Sequence, residues 1–320
     1  MILQEVLAGD LAPKKLTGIA IKKTQGMMMA TQFLPERPWP EFSGYYKTYN
    51  DVAFAQQAPE VGEGAPDSLL NTAYEENSFT MSEYRIGGEI TERAINFLLA
   101  KDSTEHVSAG RALVQDEVEF LTDTLVLREE TKIIAALKDN VASGFTVTAN
   151  GSWDNSGATP INNLRRAIRT IRTNWHTEPD TLLINPLTEE NLLTHAQITG
   201  IYTSSGNTAL IADNTIATGQ SRSVPRLTGL DVFVHDGVTT VDGTLAAGST
   251  ESLIVGTATT TGNWALVFKK GNTTGVTYVA EPLTVRRWDK PETRSVHVQM
   301  FKTFVPVIFR AKQIALIENI

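Results

Sequence analysis

Cysteine is absent from the 320 residues, which excludes disulfides, thiolate metal sites and a cysteine nucleophile. No run of 18 apolar residues occurs, so no membrane-spanning helix is expected. The opening stretch MILQEVLAGDLAPKKL places Glu5 and Asp10 among short apolar groups and does not read as a secretory signal, so synthesis in a reducing cytoplasm is the expectation. Catalytic patterns are missing too. The five histidines (His106, His176, His195, His235, His297) are dispersed, with no HExxH or paired metal spacing, and His195 reads as an ordinary helical histidine. There is no G-x-S-x-G elbow. Gly256 and Gly262 have Walker-loop spacing but are followed by Asn263-Trp264, and Gly62-Glu-Gly64 lacks the third glycine and the helix of a dinucleotide fingerprint. No catalytic, cofactor-binding or metal-ligating residue is assigned, and no cofactor is expected.

Basic charge is scarce where acid is dense. The chain has net charge −8, and residues 51–139 hold 18 Asp plus Glu against 7 Lys plus Arg, leaving the remainder net positive. A protein built to grip a phosphate backbone shows the opposite balance. Nucleic acid close by is compatible with this chain, and tight attachment is not. Four arginines (Arg165, Arg166, Arg169, Arg172) on one expected helix read as a solvated face or as ion-pair donors to an acidic neighbour, since no aromatic or glycine motif accompanies them.

The longest regular signal is proline-free. Residues 105–140 contain one glycine, Gly110, and predict a helix of roughly 54 Å. Asp102 and Glu105 have the spacing of an acidic capping box at its start. Val107, Val114, Val118, Leu121 and Leu125 form one apolar stripe, and Leu113, Phe120, Leu127 and Ile134 a second, so the helix is expected to be gripped from two sides. Strict coiled-coil heptads do not persist, which favours the spine of a mixed α+β domain.

Around this spine the remaining signals fall in order. Leu34-Pro-Glu-Arg-Pro-Trp-Pro40 ends an aperiodic N-terminal region as an extended path, with either a neighbouring subunit or solvent around it. GYYKTYNDVAFAQ and TAYEENSFTMSEYRIG, separated by the Gly/Pro-dense residues 58–67, predict a long hairpin over residues 44–90. Isolated hairpins are marginal, so another chain is expected to cover it. A short helix over residues 91–100, capped by Thr91, and a Gly/Ser/Asn-rich connector over residues 141–159 flank the spine. Beyond it come a helix opening at Pro160 after Thr159, a buried strand 181–184, and a helix 187–198 entered through Asn185-Pro186. Short strands are expected at residues 231–235, 252–255 and 264–269, and long alternating strands at 278–287 and from 295 on, packing against the spine.

This succession resembles the major capsid proteins of tailed bacteriophages, the Hong Kong 97-type fold. The motifs are the hairpin at 44–90, the spine at 105–140, Leu182-Leu-Ile-Asn-Pro-Leu-Thr-Glu-Glu-Asn-Leu-Leu193, Pro225-Arg-Leu-Thr-Gly-Leu-Asp-Val-Phe-Val-His-Asp236, and the ending 284–317 with Arg294 leading into the last strands. The resemblance implies an α+β fold with an N-arm (1–40), an E-loop hairpin (41–90), a first P-domain segment (91–159), an A-domain (160–280) and a second P-domain segment (281–320). It implies a structural, non-enzymatic subunit that assembles with itself as pentamers and hexamers into an icosahedral shell around double-stranded DNA. That DNA is held by proximity, without sequence-specific contact or any membrane. The shell is part of the virion, assembled in the host cytoplasm. Because about 40 residues precede the hairpin, scaffolding is expected to be a separate protein or to be absent, and a portal and a decoration protein are further possible partners.

The implied inter-subunit contacts are Pro38, Trp39, Tyr45, Tyr46, Lys47, Tyr49, Phe54, Tyr74, Phe79 and Tyr84. A covalent lysine–asparagine cross-link, as in one branch of the family, is not expected from Lys47 and Asn319, for which no positioned carboxylate is identified. Two alternatives remain at this stage: an encapsulin shell around a protein cargo, against which the proline-rich N-terminal path speaks, and an α/β enzyme using the Asn185-Pro186 turn.

Overall fold

The computed structural model describes residues 16–17, 20, 29–49, 74–91, 93, 106–175, 177–198, 226–235 and 264–320. Two compact units emerge, one from the described parts of residues 1–44, 78–133 and 277–307, the other from those of 45–77, 134–276 and 308–320. Each is interrupted in sequence.

In the first unit a four-stranded sheet runs in the order β1 (Glu36–Pro38), β10 (Gly275–Lys290), β11 (Ser295–Ile308), β4 (Ser82–Thr91). Strand β11 alternates as its sequence predicts, and Val296, Val298 and Met300 are fully buried. They meet Val114, Val118, Leu121 and Leu125 of helix α2 (His106–Asp139), together with Ile90, Leu283 and Val285. Apart from Val107, whose side chain lies outside the described residues, the first predicted stripe is thus the helix's core face within this unit. At 34 residues the helix is about 51 Å long.

The second stripe does not form one face. Leu113 and Leu127 are half-buried, Ile134 is buried, and Phe120 is 65% exposed. A seven-residue repeat drifts by about 20° per step around a straight helix, so its members need not share an environment.

The expected hairpin is also divided. Its second strand is two strands, β3 (Tyr74–Thr80) and β4, with the buried Met81 between them. Strand β3 pairs with β2 (Ser43–Tyr49), whereas β4 pairs antiparallel with β11 from Thr91↔Ser295 to Ser82↔Phe304. Thr91, read as a helix cap, is therefore the last residue of β4, and the helix expected after it lies almost wholly outside the described residues. The proline-rich path finds partners in its own chain. Phe33 and Leu34 are buried beside the short helix α1 (Ala30–Phe33), and β1 pairs parallel with β10 through Glu36↔Thr277 and Pro38↔Val279.

The second unit is a six-stranded sheet in the order β5 (Thr146–Thr148), β12 (Ile314–Glu318), β9 (Trp264–Phe268), β6 (Thr181–Ile184), β8 (Leu230–Val234), β7 (Arg226–Leu227). Helix α3 (Pro160–Trp175) packs Ile161, Leu164, Ala167 and Ile171 into its core and leaves the four arginines exposed. Thr159 precedes it, but among the described residues its hydroxyl has no hydrogen-bond partner, and its carbonyl accepts the Asn163 N–H. Helix α4 (Pro186–Thr194) is shorter than expected because His195 is already extended. The strand expected at residues 252–255 lies outside the described residues.

Candidate assembly surface

The base of the β2–β3 hairpin is locked by aromatic rings. Phe79 stacks on Tyr278 with ring centroids 4.6 Å apart, and the Trp39 indole meets both edge-on, at 5.8 and 5.4 Å. The indole N–H donates to the Ser43 carbonyl at 3.3 Å, and the Met81 N–H to the Phe42 carbonyl at 2.8 Å. Gly44 is required here, because a Cβ would lie 2.8 Å from Phe79 and 2.9 Å from Trp39.

Farther along, alternation sorts the side chains. Asn77 Nδ2 donates to Thr48 Oγ1 at 2.9 Å, and Tyr46 lies 5.8 Å from Phe309, with burial raising the phenol's pKa above its ordinary value. The opposite face carries Tyr45, 69% exposed, Lys47, Tyr74, 51% exposed, and Glu76. Lys47 Nζ sits 4.2 Å from the centre of the Tyr74 ring, a cation–π pair that holds an aromatic and a cation together at the surface.

The segment leading into the hairpin is held by two adjacent glutamates of α2. Glu130 accepts the Met29 N–H at 2.8 Å, and burial is the main cause of its raised pKa. Glu129, 2% exposed, takes the Lys302 ammonium between both carboxylate oxygens at 2.7 Å, and the same ammonium reaches Glu36 of β1 at 2.6 Å. Burial pushes the Glu129 carboxyl up to about 6, against the opposing pull of Lys302. A buried cation thus ties β1, β11 and α2 together.

The expected contact residues divide accordingly. Pro38, Tyr45, Lys47 and Tyr74 face solvent, while Trp39 and Tyr46 are half-buried in the contacts above. Phe79 is buried, and Tyr84 leans on Phe304 at 4.7 Å beneath Arg128, so these two serve the chain's own packing. The Tyr49 side chain and Phe54 lie outside the described residues. Sequence reasoning did not select the exposed Phe42 and Trp288, and it assigned Phe120 to the core. It also missed Glu129, Glu130 and Lys302. The available signal was a lone lysine inside the apolar run Met300-Phe-Lys-Thr-Phe304 and a Glu-Glu pair on the spine.

Asn185, in the turn that the enzyme alternative would use, and His195 both have structural work. Asn185 is buried and its Oδ1 accepts the Thr188 N–H at 2.8 Å, capping α4. His195 is buried, with Nε2 3.3 Å from the Asn155 carbonyl and Nδ1 accepting the Gln197 N–H. Among the described residues no acidic or histidine cluster is arranged to hold a metal, and no helix is long and apolar enough to cross a membrane.

Comparison with solved structures returns the same architecture. A phage-related protein from Bordetella bronchiseptica RB50 superposes with TM-score 0.65 at 14% identity, covering 96% of each chain. The mature capsid of bacteriophage PhiM1 gives 0.57 at 14% identity, covering 91% of this chain and 86% of that one. The SrpI encapsulin of Synechococcus elongatus PCC 7942 gives 0.54 at 14% identity, with coverage of 90% and 85%. The fold is of the Hong Kong 97 type, shared by phage capsids and encapsulins. No curated protein sequence matches the chain. The family profile described as "Phage capsid protein" matches residues 107–317, from the first turn of α2 into β12, and the chain belongs to the phage capsid protein family.

Proposed function

We infer that this chain is the major head subunit of a tailed double-stranded DNA phage, closing with copies of itself as pentamers and hexamers into an icosahedral shell. Family membership carries the capsid role, and family and fold together point to mechanical work in place of catalysis. The observation that supports self-association is the outward face of the hairpin. A two-stranded ribbon is marginal alone, and this one leaves two tyrosines in water beside a cation, the composition that protein interfaces bury.

In this reading residues 1–40 form the N-arm, 41–90 the E-loop, 91–159 and 281–320 the P-domain, and 160–280 the A-domain. Tyr45, Lys47 and Tyr74 meet a neighbouring subunit. The net charge of −8 lets packed DNA lie close without adhering. A scaffolding protein, a portal and a decoration protein are the further proposed partners, with assembly in the host cytoplasm. An encapsulin shell is the second reading, supported by the fold alone.

The test is the full chain carrying Tyr45→Ser and Tyr74→Ser together. We expect a folded subunit that no longer closes shells. Normal shells from this variant overturn the role of that face. Wild-type shells holding nuclease-protected DNA support the head subunit, and shells holding a stoichiometric protein cargo support the encapsulin reading.

A further inference from the structure

One end of the six-stranded sheet gathers cations that lie far apart in sequence. Residues 155–177 contain four arginines and no Asp or Glu, and no other eight-residue window of the chain holds as many Lys plus Arg as 165–172. Arg165, Arg169 and Arg172 follow one another at four- and three-residue spacing along about 10 Å of the exposed face of α3. Together with Ile168, Thr173, Glu178 and Thr228 they line an open groove of about 660 Å³. Among the described residues Arg165 and Arg169 make no ion pair. Arg172 reaches Glu178 only at 3.9 Å, with both side chains mostly in water, a contact of little strength.

Strand register continues the groove into a rim. Thr181 of β6 pairs with Asp231 of β8 and with Phe268 of β9, and Phe268 pairs in turn with Ile314 of β12. The ends of these four strands are therefore aligned, and at about 4.8 Å per strand they span roughly 14 Å. The Thr228–Gly229 turn closes one side of that edge, while Lys269 and Lys270 follow β9 and Arg310 and Lys312 precede β12. These four added cations are partly exposed. Helix α3 joins the same edge: it packs beside the turn Ala311–Gln313, and Gln313 Nε2 donates to Thr177 Oγ1 at 3.4 Å. The carboxylates there are Glu178, Asp180 and Asp231, fewer than half the seven cations. Two of them already have partners, since Asp180 Oδ1 accepts the Lys270 N–H at 2.9 Å and Asp231 pairs with Lys270 Nζ at 3.4 Å.

The lining decides what fits. Protein interfaces bury an apolar core and shed charge there, whereas Ile168 is the one apolar residue lining this groove. Nucleic-acid interfaces are polar and strongly basic, as this edge is. A duplex carries one negative charge per about 1.7 Å of its axis, so a rim of about 14 Å faces several phosphates at once. The chain's net charge of −8 does not cancel the attraction, because at physiological salt charges more than about 8 Å from the rim are largely screened.

We propose that this rim, the α3 groove with the adjoining ends of β9 and β12, is a contact for the phosphate backbone of duplex DNA, made without reading sequence. The contact itself stands on the rim's charge and shape; its role as the surface that the shell turns towards its genome rests on the shell reading. Arginine suits the groove, because its planar fork meets phosphate oxygens with two parallel hydrogen bonds. The excess of cations over carboxylates allows about four phosphate contacts, few enough for packed DNA to stay mobile at physiological salt.

The experiment is a fluorescence-anisotropy titration of the full chain against labelled duplexes of two unrelated sequences, from about 50 to about 200 mM salt. Wild type should bind both duplexes alike, with log K falling against log salt at a slope of about −3.6, which is about −0.9 per phosphate. Arg165→Ala with Arg169→Ala should bring the slope to about −1.8 and weaken binding at the lowest salt at least about tenfold. Arg165→Lys with Arg169→Lys should keep most of the slope. Circular dichroism establishes that the variants are folded, and sedimentation of the same proteins reads assembly separately. Wild type that assembles but binds no duplex at the lowest salt overturns the assignment, as does an alanine variant with unchanged slope; the shell reading survives both. An alanine variant that binds duplex normally and fails to assemble overturns it in favour of an acidic protein face. Wild type that binds duplex with the expected slope but never assembles contradicts the shell reading and leaves the phosphate contact standing.

Discussion

Replacing Lys302 with methionine isolates the tie between β1, β11 and α2. The substitution keeps much of the aliphatic volume and removes the cation. Glu36 can turn its carboxylate to water, since its side chain is 42% exposed, but Glu129 is 2% exposed and cannot. A buried carboxylate stripped of its partner costs about 3–5 kcal/mol, which should lower the urea midpoint of the unassembled subunit by at least about 1 M at pH 7.5.

The pH dependence gives a second reading. The Glu129 carboxyl is raised from 4.5 to about 6, so between those values the native state holds more proton than the unfolded chain. Its contribution is therefore most favourable at the acid end and declines as pH rises to 6, by about 2 kcal/mol in all. Without Lys302 the carboxyl moves higher still and ionises only at greater cost. The deficit of the variant should then be largest above pH 6 and should shrink at pH 5, where Glu129 is neutral. Adding Glu129→Leu should recover most of the loss, because an apolar pair of similar volume replaces a buried ion pair at little cost. A loss under 0.5 kcal/mol at pH 7.5, or one identical at pH 5, would refute the reasoning.

Three other outcomes are expected. Gly44→Ala should destabilise the subunit by about 1–3 kcal/mol, since the methyl group must displace the Phe79 or Trp39 ring, and an unchanged melting temperature would show that the rings yield freely. Phe120→Ala should leave stability within about 0.5 kcal/mol while weakening assembly, so a clear drop in melting temperature would mean that this exposed ring is internal after all. Deleting residues 1–40 should lower subunit stability, because it removes β1, the buried Phe33 and Leu34, and the Glu36 arm of the Lys302 cluster; wild-type stability of the truncated chain would contradict that integration.

How much was legible depended on where the determining contacts lie. Helix α2 could be read because its signals are local: no proline, and a core stripe of Val114, Val118, Leu121 and Leu125. Strand β6 and the Asn185-Pro186 entry to α4 were readable for the same reason, a buried run of four apolar-facing residues followed by a side-chain cap. The partner switch at Met81 was not. Nothing near Ser82 announces that its partner is Phe304, and strand composition alone allowed β3 and β4 to run as one. The same holds for β1, which is extended as its prolines demand but finds β10 some 240 residues away. In the candidate surface, Tyr45, Lys47 and Tyr74, which the resemblance implied as contacts, are exposed. Phe79 and Tyr84 look the same in sequence, and only the positions of Tyr278 and Phe304 make them internal. The Glu129–Lys302 pair escaped because each residue alone reads as solvated charge, and burial becomes visible only when helix and sheet are packed.

The central claim is that this chain is a shell subunit. Its most direct test is analytical sedimentation and electron microscopy of the purified 320-residue chain across salt and protein concentration, with and without a co-expressed scaffolding protein. Rings, sheets or closed shells built from pentamers and hexamers are the expected result. A species that stays at 35 kDa under every condition would contradict it.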